Sequence, residues 1–130
     1  MTMYGDASWP ELAGRLLIVG FFVAAGIYNL GARQVRDHVE ALAGFGVPFP
    51  AAAFWAGLAL QFAGCAMLLL DWHPAIGAGF LIVFTVVANA LFHRFWTVQD
   101  PARRNVQRLL LLNGIAILGG LLLMLETVRG

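Results

Sequence analysis

The sequence predicts an all-α integral membrane protein, a four-helix bundle with an amphipathic helix in its first loop and one domain over residues 1–130. Two observations lead there. Hydrophobic residues make up 61% of the chain and charged residues 12%, against about 45–50% and about 25% in a soluble domain. A soluble protein of this size buries only about two-thirds of its surface, so much apolar side chain would be left in water. The second observation is the spacing of charges. Uncharged stretches of 17, 30, 22 and 17 residues separate Arg15 from Arg33, Glu40 from Asp71, Asp71 from Arg94, and Arg108 from Glu126. A helix rising about 1.5 Å per residue needs roughly 20 apolar residues to cross about 30 Å of hydrocarbon. Four gaps therefore predict four spans, over residues 12–30, 51–70, 75–93 and 107–125.

The first span has Asp6 and Glu11 on its leading flank rather than basic residues, so it reads as a retained helix and not a signal peptide. Within the 30-residue gap, Pro48 and Pro50 place a loop before the second span, because proline suits a helix's first turn and disrupts its interior. Pro74 opens the third span in the same way, after a tight turn at Asp71, Trp72 and His73. In the first loop, Val35, Val39 and Leu42 recur at i, i+4, i+7 opposite Arg33, Arg36, Asp37 and Glu40, the pattern of an amphipathic surface helix. The third loop is polar and arginine-rich, suited to anionic lipid or a soluble partner.

Orientation follows from the arginines. Arg33, Arg36, Arg94, Arg103, Arg104 and Arg108 fall on loops one and three, and only Arg15 and Arg129 on the other side. The positive-inside rule then places both termini outside the cytoplasm. Tyr4, Trp9 and Trp72 fall at the outer interface and Tyr28, Trp55 and Trp96 toward the inner one, as aromatic belts require. A formal net charge of +1 excludes the basic field of a nucleic-acid binder. The partner certain from composition is the lipid bilayer.

Small residues four apart recur in every span: Gly20 with Ala24, Ala53 with Gly57, Ala75 with Gly79, Ala116 with Gly120. In lipid such residues let helices approach closely. The polar residues within the spans are the candidates for function, since ionisable groups there are costly. Arg15 reads either as an interfacial arginine paired with Glu11 at i, i+4 or as an inward cation for an anionic or quinone-like oxygen. Gln61, at mid-span, is interhelical glue or part of a site. Asn29, Asn89, His93 and Asn113 lie at similar depth toward the cytoplasmic side, with Asn89 and His93 on one helical face. They suit either interhelical hydrogen bonding or a site that orients a carbonyl or hydroxyl, with His93 able to exchange a proton near neutral pH.

No metal centre is expected: His38, His73 and His93 are spread over both sides of the membrane, and neither Cys-x-x-Cys nor His-Glu-x-x-His occurs. Cys65, in an apolar span with no cationic neighbour, reads as unreactive. Unbroken short spans leave little for a transporter to alternate between.

Three segments carry a family likeness. Gly14-Arg15-Leu16-Leu17-Ile18 leading to Ala25-Gly26-Ile27-Tyr28-Asn29-Leu30 resembles the first helix of the DoxX family. Gly46-Val47-Pro48-Phe49-Pro50 before the second span and Phe92-His93-Arg94-Phe95-Trp96 at the end of the third are similar to the same family. The resemblance implies a small four-helix protein of a bacterial or archaeal inner membrane. It also implies a redox-linked role, with quinone as a non-covalent cofactor and another membrane or soluble redox protein as partner. A non-catalytic accessory subunit of a larger complex is the alternative. Arg15 and His93 are the positions it carries over, with Gly26, Pro48 and Trp96 as structural marks. This chain has Asn29 where the family often has lysine, and Gln61 near a position where it often has glutamate.

The orientation is checked by labelling with a membrane-impermeant maleimide. Thr2→Cys should react in intact cells and Ala102→Cys only after the cytoplasmic face is opened; the reverse pattern would invert the topology.

Overall fold

A computed structural model of the chain describes residues 8–92 and 99–128. Five helices run in order: α1 Trp9–Tyr28, α2 Ala32–Gly44, α3 Pro50–Leu69, α4 Pro74–Phe92 and α5 Pro101–Val128. Four of them, α1, α3, α4 and α5, are long and apolar enough to cross a membrane. The first three spans begin within a few residues of the expected positions. The fourth begins at Pro101 rather than 107, because Asp100 starts the helix: its Oδ1 accepts from the Ala102 N–H at 3.2 Å and its carbonyl from the Arg104 N–H at 2.8 Å. Arg103, Arg104 and Arg108 thus stand on α5 and not in a preceding loop. At about 1.5 Å per residue, its 28 residues outreach the hydrocarbon by some two turns.

The spans pack in a ring, α1 against α3, α3 against α4, α4 against α5 and α5 against α1, with α2 resting on α3. Two cores form. One holds Val19, Phe22, Cys65, Leu68, Leu81, Leu121 and Met124. The other, beneath α2, holds Leu42, Phe54 and Leu58, with Val35 and Val39 against it. Arg33, Arg36, Asp37 and Glu40 face outward, so α2 packs its apolar stripe on the bundle and exposes its charged one.

Helix ends show how local chemistry sets these boundaries. The Ser8 hydroxyl accepts from the Glu11 N–H at 3.3 Å and caps α1. α2 ends with the Val47 N–H on the Leu42 carbonyl and the Gly46 N–H on that of Ala43, both at 3.1 Å. Gly46 at φ 81° supplies the left-handed residue this ending needs. α3 ends the same way: the Trp72 N–H reaches the Met67 carbonyl at 3.0 Å and the Asp71 N–H that of Leu68 at 3.4 Å. Here the left-handed residue is Asp71, at φ 52°, where glycine is usual.

Arg15 explains that exception. Its Nη1 donates to Asp71 Oδ1 at 3.1 Å and to the Leu68 carbonyl at 3.3 Å. The guanidinium of α1 therefore sits on the negative end of the α3 dipole and on the carboxylate that terminates it. This partner, 56 positions away, replaces the Glu11 pairing that i, i+4 spacing suggested.

α3 and α4 cross closely, backbone against backbone, at Gly64 and Gly77. A Cβ at Gly64 would lie 2.8 Å from the Gly77 carbonyl oxygen, and one at Gly77 would lie 2.9 Å from that of Gly64. Of the paired glycines, Gly20 and Gly79 have nothing within 4 Å of an added Cβ, Gly57 has only Phe84 at 3.8 Å, and Gly120 meets Ile18 of α1 at 3.5 Å. Spacing of four was thus no guide to which glycines touch, because apolar segments contain it by chance.

Two stability predictions follow from these contacts, both read by thermal unfolding in mild detergent. Asp71→Ala leaves the Arg15 guanidinium uncompensated and should cost about 3 kcal/mol. The double variant with Arg15→Leu should recover part of that loss, and simple additivity would disprove the coupling. Gly64→Ala and Gly77→Ala should each destabilise by about 1–3 kcal/mol, while Gly20→Ala and Gly79→Ala should be neutral or mildly stabilising.

Candidate functional site

Gln61 is 1% exposed at the middle of α3. It reaches its position because α1 and α3 approach at Gly26, where any Cβ would collide with the Phe62 ring at 2.6 Å. The Gln61 Nε2 donates to the Phe22 carbonyl of α1 at 2.6 Å. A carbonyl only accepts, so the amide group on Phe22 is the NH2 and the remaining atom is Oε1. That oxygen is buried and has no hydrogen-bond partner among the described residues. An acceptor left so costs about 1–3 kcal/mol, and hydrocarbon offers it no water.

Gln61 lines a cavity of about 220 Å³ to which all four spans contribute. Asn29 enters from the end of α1, Thr85 and Asn89 from α4, and Asn113 from α5, with Phe22 and Phe84 as apolar wall. The two phenyl rings meet edge to face, with centroids 6.3 Å apart. Asn89 is seated over Gly114 of α5, where an added Cβ would overlap its carboxamide. Glycine at 114 is thus a requirement of the close approach between α4 and α5. Phe21, Leu110 and Asn113 are exposed at the rim, so the cavity opens between α1 and α5 toward lipid.

Four of the expected site residues, Asn29, Gln61, Asn89 and Asn113, therefore share one chamber. Arg15 does not join them. It is committed to Asp71 and Leu68 near the opposite end of the bundle. His93 lies outside the described residues. Thr85 is a site residue that the sequence reading missed. It is 6% exposed and returns its hydroxyl hydrogen bond to the Leu81 carbonyl at 2.7 Å. Its spacing of four from Asn89 was the available signal. With its hydrogen donated to Leu81, the Thr85 hydroxyl oxygen keeps its lone pairs for a donor in the chamber.

A larger cavity of about 480 Å³ adjoins this one beneath α2. It is walled by aliphatic and aromatic side chains, with Asn29 and His38 as its polar members. His38 sits on the α2 face that bears Val35 and Leu42, so the same periodicity that predicted the helix also pointed His38 inward. Its Nδ1 lies 2.6 Å from the Gln34 carbonyl and its ring 5.6 Å from that of Phe54. Since that carbonyl accepts only, Nδ1 carries the proton.

The polar chamber suits an uncharged polar guest. It presents carboxamide N–H donors, carboxamide and hydroxyl acceptors, and aromatic walls, with no ionised side chain in its lining among the described residues. What it can do chemically is orient a carbonyl or hydroxyl and hold or pass on a hydrogen bond.

No curated protein and no solved structure matches the chain. The DoxX family matches residues 11–94, from the first turn of α1 to just beyond α4 and short of α5. That span is well over half of the chain, and with four membrane-crossing helices in place, the protein belongs to the DoxX family of membrane proteins.

Proposed function

We propose that this DoxX protein is a quinone-binding component of a membrane redox system, with the head group held in the chamber between the four spans. The observation that carries this reading is the buried, unpartnered Gln61 Oε1 in a residue that lines one chamber with three further carboxamides. A quinone is uncharged, planar and lipid-soluble, and moves electrons and protons between proteins when bound. Asn89 and Asn113 supply N–H donors to a ring carbonyl. Gln61 Oε1 accepts from a ring hydroxyl, so the chamber offers complementary groups to the oxidised and the reduced head group alike. Phe22 and Phe84 supply apolar walls for the ring. The electron donor and acceptor are then other proteins, and the arginines at the start of α5 are placed to receive a soluble one. We place those arginines and α2 on the cytoplasmic side, in keeping with the excess of arginine at that end of the spans, Arg33, Arg36, Arg94, Arg103, Arg104 and Arg108 against Arg15 and Arg129.

An accessory subunit that contributes only helix surface is the competing reading. It draws on α5, whose most apolar stretch is 17% buried. Bilayer hydrocarbon covers such a face equally well, and a packing subunit has no use for a polar chamber.

The test is quinone retained per chain after purification in mild detergent, measured by organic extraction. The wild-type protein should carry it. Asn89→Leu and Gln61→Leu each remove a hydrogen bond worth about 1 kcal/mol net, so each should lower binding about fivefold. Variants that fold and retain wild-type quinone would remove the assignment.

A further inference from the structure

The apolar cavity beneath α2 is not used by a head group held at Gln61. It shares three lining residues, Asn29, Phe84 and Ala88, with the polar chamber. The two spaces therefore meet at one layer of shared side chains. Beyond that layer the lining is Leu42 of α2, Ala53, Gly57 and Leu58 of α3, and Leu91 of α4. Small residues make the volume. A Cβ added at Gly57 would meet nothing nearer than Phe84 at 3.8 Å, and Ala53 and Ala88 leave the facing walls short.

We propose that this cavity binds the isoprenoid chain of the quinone, making the ligand a long-chain lipid quinone and α2 the cover over its tail. The inference rests on the head-group reading above. Three features support it. Apolar walls with so few polar groups hold water poorly. An empty space of this size would leave its lining without dispersion partners, and its volume lies within the range of ligand pockets. Adjacency to the polar chamber at the shared Asn29, Phe84 and Ala88 then sets a hydrogen-bonding end beside a hydrocarbon end, in the order a prenylated quinone requires. In lipid the tail gains no hydrophobic driving force by entering, so the cavity selects by shape and packing. Gly57 and Ala53 are the residues that set that shape.

The probe is a benzoquinone bearing a short isoprenoid chain with a diazirine at its end, photolysed with the protein in lipid vesicles. Adducts should map to α2, to the first two turns of α3 and to the last turn of α4, and excess tail-less benzoquinone should displace them. Gly57→Leu should lower these adducts about tenfold by filling the space while leaving binding of the tail-less head group unchanged. Ala53→Leu is the second variant should Gly57→Leu fail to fold. Adducts spread over outward residues such as Leu109 and Leu123, or unaffected by either variant, would overturn the tail site and leave the head site standing. Cavity adducts that tail-less quinone cannot displace would indicate a bilayer acyl chain, and would overturn this proposal together with the head-group reading.

Discussion

Hydrocarbon offers a polar group no partner, and this bundle is organised by where it places the few polar groups it carries. Apolar side chains do little to hold membrane helices together, since lipid solvates them as well as a neighbour does. Position and register depend instead on close backbone approach and on hydrogen bonds across helices. The Gln61 bond to the Phe22 carbonyl and the Arg15 bonds to Asp71 and Leu68 tie α1 to α3 at two depths. Gly64 against Gly77 and Gly114 under Asn89 set the spacing of α4 on its two neighbours.

These polar groups fall into two classes with different consequences. The Arg15 cluster is closed. The guanidinium meets a carboxylate and a helix-terminal carbonyl, and in doing so supports an aspartate in the left-handed conformation that glycine fills at the end of α2. Its task is mechanical, the joining of the first helix to the hairpin turn. The Gln61 chamber is open. One amide hydrogen is spent on α1, the oxygen is left over, and Asn29, Thr85, Asn89 and Asn113 stand round the same space. An incomplete polar network is costly in a membrane, and a ligand that completes it recovers that cost. This contrast is why the intramembrane arginine is the weaker candidate for function and the neutral glutamine the stronger one.

The chamber is assembled from ordinary parts. Three of its walls come from the segment that matches the family, while Asn113 and Gly114 come from α5, beyond the match. Carboxamides and a hydroxyl supply its polarity among the described residues, which avoids the solvation cost of a charge in lipid.

Composition, charge spacing and proline placement determined the solvent, the four spans and the helix over the first loop, because those are properties of local sequence acting against a bilayer of fixed thickness. They also identified Asn29, Gln61, Asn89 and Asn113, since any polar residue at such depth is conspicuous. Only tertiary structure decided which of them meet, that Thr85 and His38 join the linings, that Arg15 pairs with Asp71 instead of Glu11, and that Gly64 and Gly77 rather than Gly20 and Gly79 make the crossing. Helical periodicity says which face a residue occupies but not which neighbour that face is turned toward, and in a chain apolar on nearly every side the hydrophobic pattern cannot settle the rotation of one helix about its axis.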